Sequence, residues 1–245
     1  MKTILTLLSA SFALSSIGSA ALLYQYQANP LSPNPTTQGW TAPPVNAGIT
    51  VGGINDSGTP AWFVNDQSTT FGASYNVTPT AGDIAATNTL DWKLSITLRD
   101  VNPSDAPNGA LVYLFRNGTK SYQMHFGSTA LNEPIVVLAD GVGPGTGATY
   151  TLTGGSGYNT YDLTYSQSAG SAALSVNGNQ VLSGYTGITN NQILLAWGSG
   201  ASTDTGQGNY ASVSLSTVPE PTTALLGSLG VLVFAFRRIR FLRIA

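Results

Sequence analysis

The sequence predicts an all-β protein, a two-sheet antiparallel sandwich over residues 21–217, with an apolar leader before it and a short apolar segment after it. Three observations predict this. Apolar and polar residues alternate with period two from Leu22 to Leu215, and no helical period competes with that pattern. Glycine supplies 28 of 245 residues and charged residues only 8%, a composition that favours short strands and turns. The steps Asn117-Gly118 and Asn177-Gly178 each separate alternating runs, where a tight hairpin turn demands residues tolerant of positive φ.

Taken in order, strands are expected at Leu22 to Gln27, Ala61 to Asn65 and Phe71 to Val77. From Asp91 to Arg99, Trp92, Leu94, Ile96 and Leu98 point one way and Asp91, Lys93, Ser95, Thr97 and Arg99 the other. Leu111, Tyr113 and Phe115 pair across Asn117-Gly118 with Tyr122, Met124 and Phe126, and Ile135 to Ala139 follows. The carboxy half repeats the scheme with Tyr161, Leu163 and Tyr165, then Ala172, Leu174 and Val176, then Val181 and Leu182. Ile193, Leu195 and Trp197 come next. On the last strand Tyr210, Ser212 and Ser214 oppose Ala211, Val213 and Leu215. Some twelve to fourteen strands result, with a proline-rich connection at 29–44 and a glycine-rich one at 141–157.

The two ends are built differently. Met1-Lys2, the apolar run Ile4 to Ile17 and the small residues Gly18-Ser19-Ala20 are the three regions of a secretory signal peptide, residues 1–20, with cleavage between Ala20 and Ala21. At the other end, residues 218–245 begin Val218-Pro219-Glu220-Pro221, continue through the uncharged run 222–236, and close with Arg237, Arg238, Arg240 and Arg243. As a helix that run is only ~22 Å long, short of the ~30 Å hydrocarbon core, so it spans marginally with its arginines on the cytoplasmic side.

Between the ends, Lys93, Arg99, Arg116 and Lys120 face nine Asp and Glu133, so the body carries 4 − 10 = −6. That excludes the electrostatic footprint of a nucleic-acid or anionic-lipid binder. Cysteine is absent, which leaves burial and hydrogen bonding to stabilise an exported domain.

The carboxy-terminal arrangement resembles the PEP-CTERM sorting signal of Gram-negative bacteria, with Pro219, Glu220 and Pro221 as its Pro-Glu-Pro. The resemblance implies processing by an exosortase and delivery to the cell surface or extracellular polymer. One departure is that the tail runs on through Phe241 to Ala245. Within the body, Tyr161 to Tyr165 and Ala173 to Gly178 resemble concanavalin A-like, laminin-G-like jelly-roll sandwiches, as does Ala61 to Asp66. That resemblance implies a first strand lying beside the last.

Few residues offer chemistry. Glycoside hydrolysis needs two convergent carboxyl groups, and the body has a single Glu with no close acidic pair. His125 is the only histidine, without a nucleophile-elbow motif or a zinc ligand set. Laminin-G-like folds often hold a rim calcium, for which Asp56, Asp100 and Asp105 are the candidates, although Asp also favours turns. Trp40, in the proline-rich connection, is the candidate ligand platform, whereas Trp92 and Trp197 are in phase with the core. The expectation is an exported, surface-sorted, non-catalytic β-sandwich that binds glycan or acts as an adhesin. The alternatives are a purely structural matrix component and a glycan-active enzyme with an unrecognised site.

Overall fold

The computed structural model describes residues 20–31, 34–44, 46–102, 111–129, 133–142, 145–200 and 205–218. Residues 1–19, Asp105, the motif Pro219-Glu220-Pro221, the apolar run 222–236 and Arg237, Arg238 and Arg240 lie outside the described residues.

Fifteen strands and one α-helix are described. The amino half holds β1 (Leu22–Gln27), β2 (Ile49–Asp56), β3 (Thr59–Asp66), β4 (Ser74–Val77), α1 (Ala81–Thr89), β5 (Asp91–Asn102), β6 (Leu111–Asn117) and β7 (Lys120–Ser128). The carboxy half holds β8 (Pro134–Ala139), β9 (Gly147–Thr151), β10 (Asn159–Ser166), β11 (Ser171–Val176), β12 (Asn179–Tyr185), β13 (Ile188–Thr189), β14 (Ile193–Ser199) and β15 (Gly206–Val218). They form two antiparallel sheets. One runs β12-β11-β10-β5-β15-β3-β2, with β1 also on β15, and the other runs β4-β14-β6-β7-β8-β9, with β13 on β7. The molecule is an all-β, two-sheet jelly-roll sandwich. The first strand lies antiparallel beside the last, from Leu22↔Ser216 to Gln27↔Ser212.

Alternation built the core. Leu94 is fully buried where it pairs with Leu163 of β10 and Leu215 of β15. Trp92, Ile96 and Leu98 lie on the same inward face, opposite Tyr113, Phe115, Met124 and Phe126 of the smaller sheet. Each such aliphatic side chain contributes about 1.5–3 kcal/mol by leaving water. Two ring networks knit the sheets together. In one, Tyr26 and Tyr75 stack on Trp197 at 4.9 and 5.0 Å, with Trp40, Tyr210 and, through Tyr75, Trp62 attached. In the other, Trp92 stacks on Tyr165 at 5.2 Å and meets Phe115 and Tyr122 edge-on.

The structure departs from the sequence pattern in several places. The edge strand β2 was not anticipated, and the strand expected from Phe71 begins at Ser74, leaving Phe71 exposed. On β15 the register skips Ala211 between Tyr210 and Ser212. This bulge turns Tyr210 onto the same buried face as Val213 and Leu215, where strict alternation had set it opposite them. Helix α1 was not anticipated, because only Thr87 is buried and no apolar stripe marks it. A capping box makes it instead: Thr80 Oγ1 accepts from Asp83 N–H and Asp83 Oδ2 accepts from Thr80 N–H. The glycine-rich interval 141–157 contains β9, an edge strand with three exposed residues and no apolar face to betray it. β5 runs on to Asn102, so Asp100 is a strand residue.

Candidate functional site

Helix α1 decides where a site can form. Its carboxy end lies near the start of β5, and Gln167, just past β10, donates its amide Nε2 to the free carbonyls of Thr87 at 2.8 Å and Leu90 at 3.0 Å. The Gln167 backbone N–H donates to Asp91 Oδ1 at 2.6 Å. Helix end and strand end are thereby pinned together at one end of the sandwich.

Across from them stands the β6–β7 turn. Asn117 Oδ1 accepts from Thr119 N–H, Thr119 Oγ1 and Lys120 N–H at 3.1, 3.0 and 2.8 Å, which fixes the turn from within. Asn117 Nδ2 donates to Asn88 Oδ1 of the helix at 3.2 Å, tying the two walls together.

Between the walls lies a cleft of about 350 Å³. Trp92, Tyr122 and Tyr165 line it from below, and Asn88, Asn117, Thr119, Lys120, Gln167 and Thr186 surround them. Tyr165 is the half-buried ring of the three, and Trp92 and Tyr122 are buried. Burial first, and then the neighbouring Tyr165 and Tyr185, push the Tyr122 hydroxyl far above its usual range, so it stays neutral. The lining offers amides, hydroxyls, one ammonium and an aromatic floor, with no carboxylate among the lining residues. Lys120 makes no ion pair among the described residues. Such a surface hydrogen-bonds hydroxyl groups and packs against apolar C–H faces.

The residues singled out from sequence lie elsewhere. Asp56 ends β2, its Oδ1 taking Arg99 Nη1 at 2.7 Å and its Oδ2 taking Asn209 Nδ2 at 2.8 Å and Tyr158 O–H at 3.1 Å. Burial pushes this carboxyl up, but the hydrogen bonds from Asn209 and Tyr158 and the Arg99 charge outweigh it and hold it below its usual value. Asp100, one residue on from Arg99, points to the opposite face of β5. There both its oxygens are buried without a hydrogen bond, and burial raises its carboxyl to about 7. The two therefore do not converge, and among the described residues no group of three or more His, Cys, Asp or Glu does. Trp40 is 3% exposed, edge-on to Trp197, and donates Nε1–H to Gln25 O at 3.1 Å, so its ring is part of the core. His125 is half-buried against Gln123 Oε1 at 3.1 Å.

What the sequence did not single out is Asn88, Thr119, Gln167 and the exposed part of Tyr165. Tyr165 had been phased with the core, and Asn88 belongs to a helix whose one sequence signal is Thr80-x-x-Asp83.

Residues 217–240 match the PEP-CTERM protein-sorting motif. The motif implies export, exosortase-mediated processing and surface sorting. Among curated proteins none matches the chain. Among solved structures, the chain is similar to the conserved carbohydrate esterase vb_24B_21 of the Shiga toxin-encoding bacteriophage phi24B. Identity is 10% and the TM-score 0.62, over 81% of this chain and 99% of that one. It is also similar to botulinum neurotoxin type C, whose cell entry depends on two ganglioside molecules, at 13% identity and TM-score 0.48 over 86% of this chain. The binding domain of botulinum neurotoxin serotype D gives 11% and 0.49 over 81%. The chain spans about half the length of both toxin chains. At these identities the likeness is one of fold. Among the described residues no helix is long and apolar enough to cross a membrane.

Proposed function

We propose that the protein is an exosortase-processed surface or extracellular-matrix component whose sandwich binds glycan without catalysis through the cleft between α1 and the β6–β7 turn. In this reading the run 222–236 holds the chain in the membrane, arginines inward, only until processing. The observation that carries the binding reading is the lining itself. Neutral amides and hydroxyls surround a half-buried tyrosine backed by a stacked tryptophan, and no carboxylate is among them. Sugars offer hydroxyls around their edges and C–H groups on their faces, which is what these groups complement.

A glycan array probed with full-length protein tests it, run with and without EDTA to ask whether the domain needs calcium. Thr186→Ala and Lys120→Met alter cleft side chains that no core packing depends on, so the melting temperature should hold. Binding should weaken by about tenfold for each hydrogen bond lost. Glycan binding unchanged in both variants would remove the cleft from the reading, and no binding to any glycan would leave the purely structural role.

A further inference from the structure

Among the described residues four strands end the two continuous sheet orders: β2 and β12 in the larger, β4 and β9 in the smaller. Two more strands have one partner each: β1, whose Gln25 and Gln27 backbone is covered by the Trp40 and Gln38 side chains, and β13, which has two residues. An open edge is a template for another chain, and folded proteins blunt it by shortness, bulges or charge. β12 is irregular, its register on β11 shifting twice. β4 has four residues and is bridged on its outer side by Thr41↔Asn76. β9 has five residues. β2 has none of these devices. It is eight residues long, its register with β3 is unbroken from Ile49↔Asp66 to Asp56↔Thr59, and no charge occurs from Ile49 to Asn55. Val51 and Ile54 are exposed on it.

We propose that β2 is where a second copy of this chain adds its own β2, antiparallel, joining the two larger sheets into one. The backbone phase supports this. The two-residue turn Ser57-Gly58, both at positive φ, closes on Asp56↔Thr59, which makes that a hydrogen-bonded pair. Alternation then turns the N–H and C=O groups of Asn55, Gly53, Val51 and Ile49 outward. Pro60, which has no N–H to give, stands opposite Asn55 as this phase requires. Of the outward groups the Ile49 N–H alone is engaged, donating to Asn46 O.

Two identical antiparallel strands in one sheet are related by a two-fold axis, and the outward residues centre it on Gly52. Val51 then faces Gly53, Ile49 faces Asn55 and Thr50 faces Ile54, so each bulky side chain meets a smaller one. Gly52 sits on the axis without a side chain because Phe63 fills that space; a Cβ there would come within 2.9 Å of the Phe63 ring. The strand is thus complementary to itself. It also lets copies of an acidic body approach without like charges at the join, since Asp56 falls beyond the paired segment and is neutralised by Arg99. An eight-residue strip is ~27 Å long, and its contact stays below the ~1,200 Å² of a stable complex, so the pairing belongs to crowded surfaces.

Cross-linking tests the register, and the absence of cysteine makes the readout clean. In full-length protein carrying Thr50→Cys and Ile54→Cys, the two sulfurs face each other across a close, non-hydrogen-bonded pair about 4.5 Å apart at Cα. Mild oxidation should yield a covalent dimer on a non-reducing gel. Either single variant, whose thiols lie about 14 Å apart, should not. Adding Gly53→Pro removes outward N–H groups without touching the β2–β3 ladder and should lower dimer to the single-variant level. Val51→Lys should do the same by placing a charge on the exposed edge. A double variant that links no more than the singles would overturn the proposal, as would linking that survives both edge substitutions in protein with an unchanged melting temperature.

Discussion

Ala21 and Thr217 hold each other twice: the Ala21 N–H donates to Thr217 Oγ1 at 3.1 Å, and the Thr217 N–H donates to Ala21 O at 2.9 Å. The chain thereby closes β1 against β15 at the two positions that flank the proposed processing steps. Thr217→Val keeps the shape and the backbone bond but removes the hydroxyl acceptor. It should cost about 1 kcal/mol. Amide exchange should rise first at Thr217 and along β1, and urea unfolding monitored alongside measures the loss.

Asp100 should set the pH dependence of stability. In the folded chain burial keeps its proton on up to about pH 7, whereas in the unfolded chain the proton leaves near the ordinary carboxylate value of 3.8. The stability tied to that proton is complete below about pH 4 and is lost as pH rises through 7, by up to roughly 4 kcal/mol. Asp66, raised by burial and only partly relieved by Ser199 and Ser68, acts in the same direction. Asp56 and Asp83, both lowered, act oppositely and lose their contribution only as pH falls below the ordinary range. The melting temperature should therefore decline from pH 5 to pH 8, and Asp100→Asn should flatten that decline. A parent profile flat across the range would contradict the burial of an unpaired carboxyl.

Leu94→Asp should unfold the domain at ambient temperature or cost more than about 4 kcal/mol, because an unpaired carboxylate would enter a dry layer between Leu163 and Leu215. Chemical denaturation followed by circular dichroism measures it.

The same layer shows why so much of the fold was legible in the sequence. Trp92, Leu94, Ile96 and Leu98 form an unbroken period-two run, and each lands inward with no irregularity. Tyr210 did not follow the rule, since one extra residue at Ala211 reverses facing and leaves no mark on composition. The cleft was less legible still. Its walls come from residues as distant in sequence as Asn88, Asn117 and Gln167, joined by side-chain bonds to backbone carbonyls and to each other. Each of those residues alone reads as an ordinary turn or loop amide.

Replacing Pro219, Glu220 and Pro221 with alanine should leave the chain in the membrane and block its release. The apolar run would still bind the bilayer, but the two prolines and the charge before it would be gone. Fractionation of cells into membrane and released material, with intact mass of each, gives the readout. Release equal to the parent's would favour a plain anchor over a sorting tag.

The two ring networks also divide the protein's own light. Trp40, Trp62 and Trp197 belong to one, and Trp92 belongs to the other, above which the cleft opens. All four indoles are buried, so intrinsic emission from the folded chain is that of dry rings. A ligand settling on Tyr165 perturbs the emission of Trp92 alone, while loss of packing shifts all four together. Occupancy and unfolding are therefore separable colours in a single unlabelled sample.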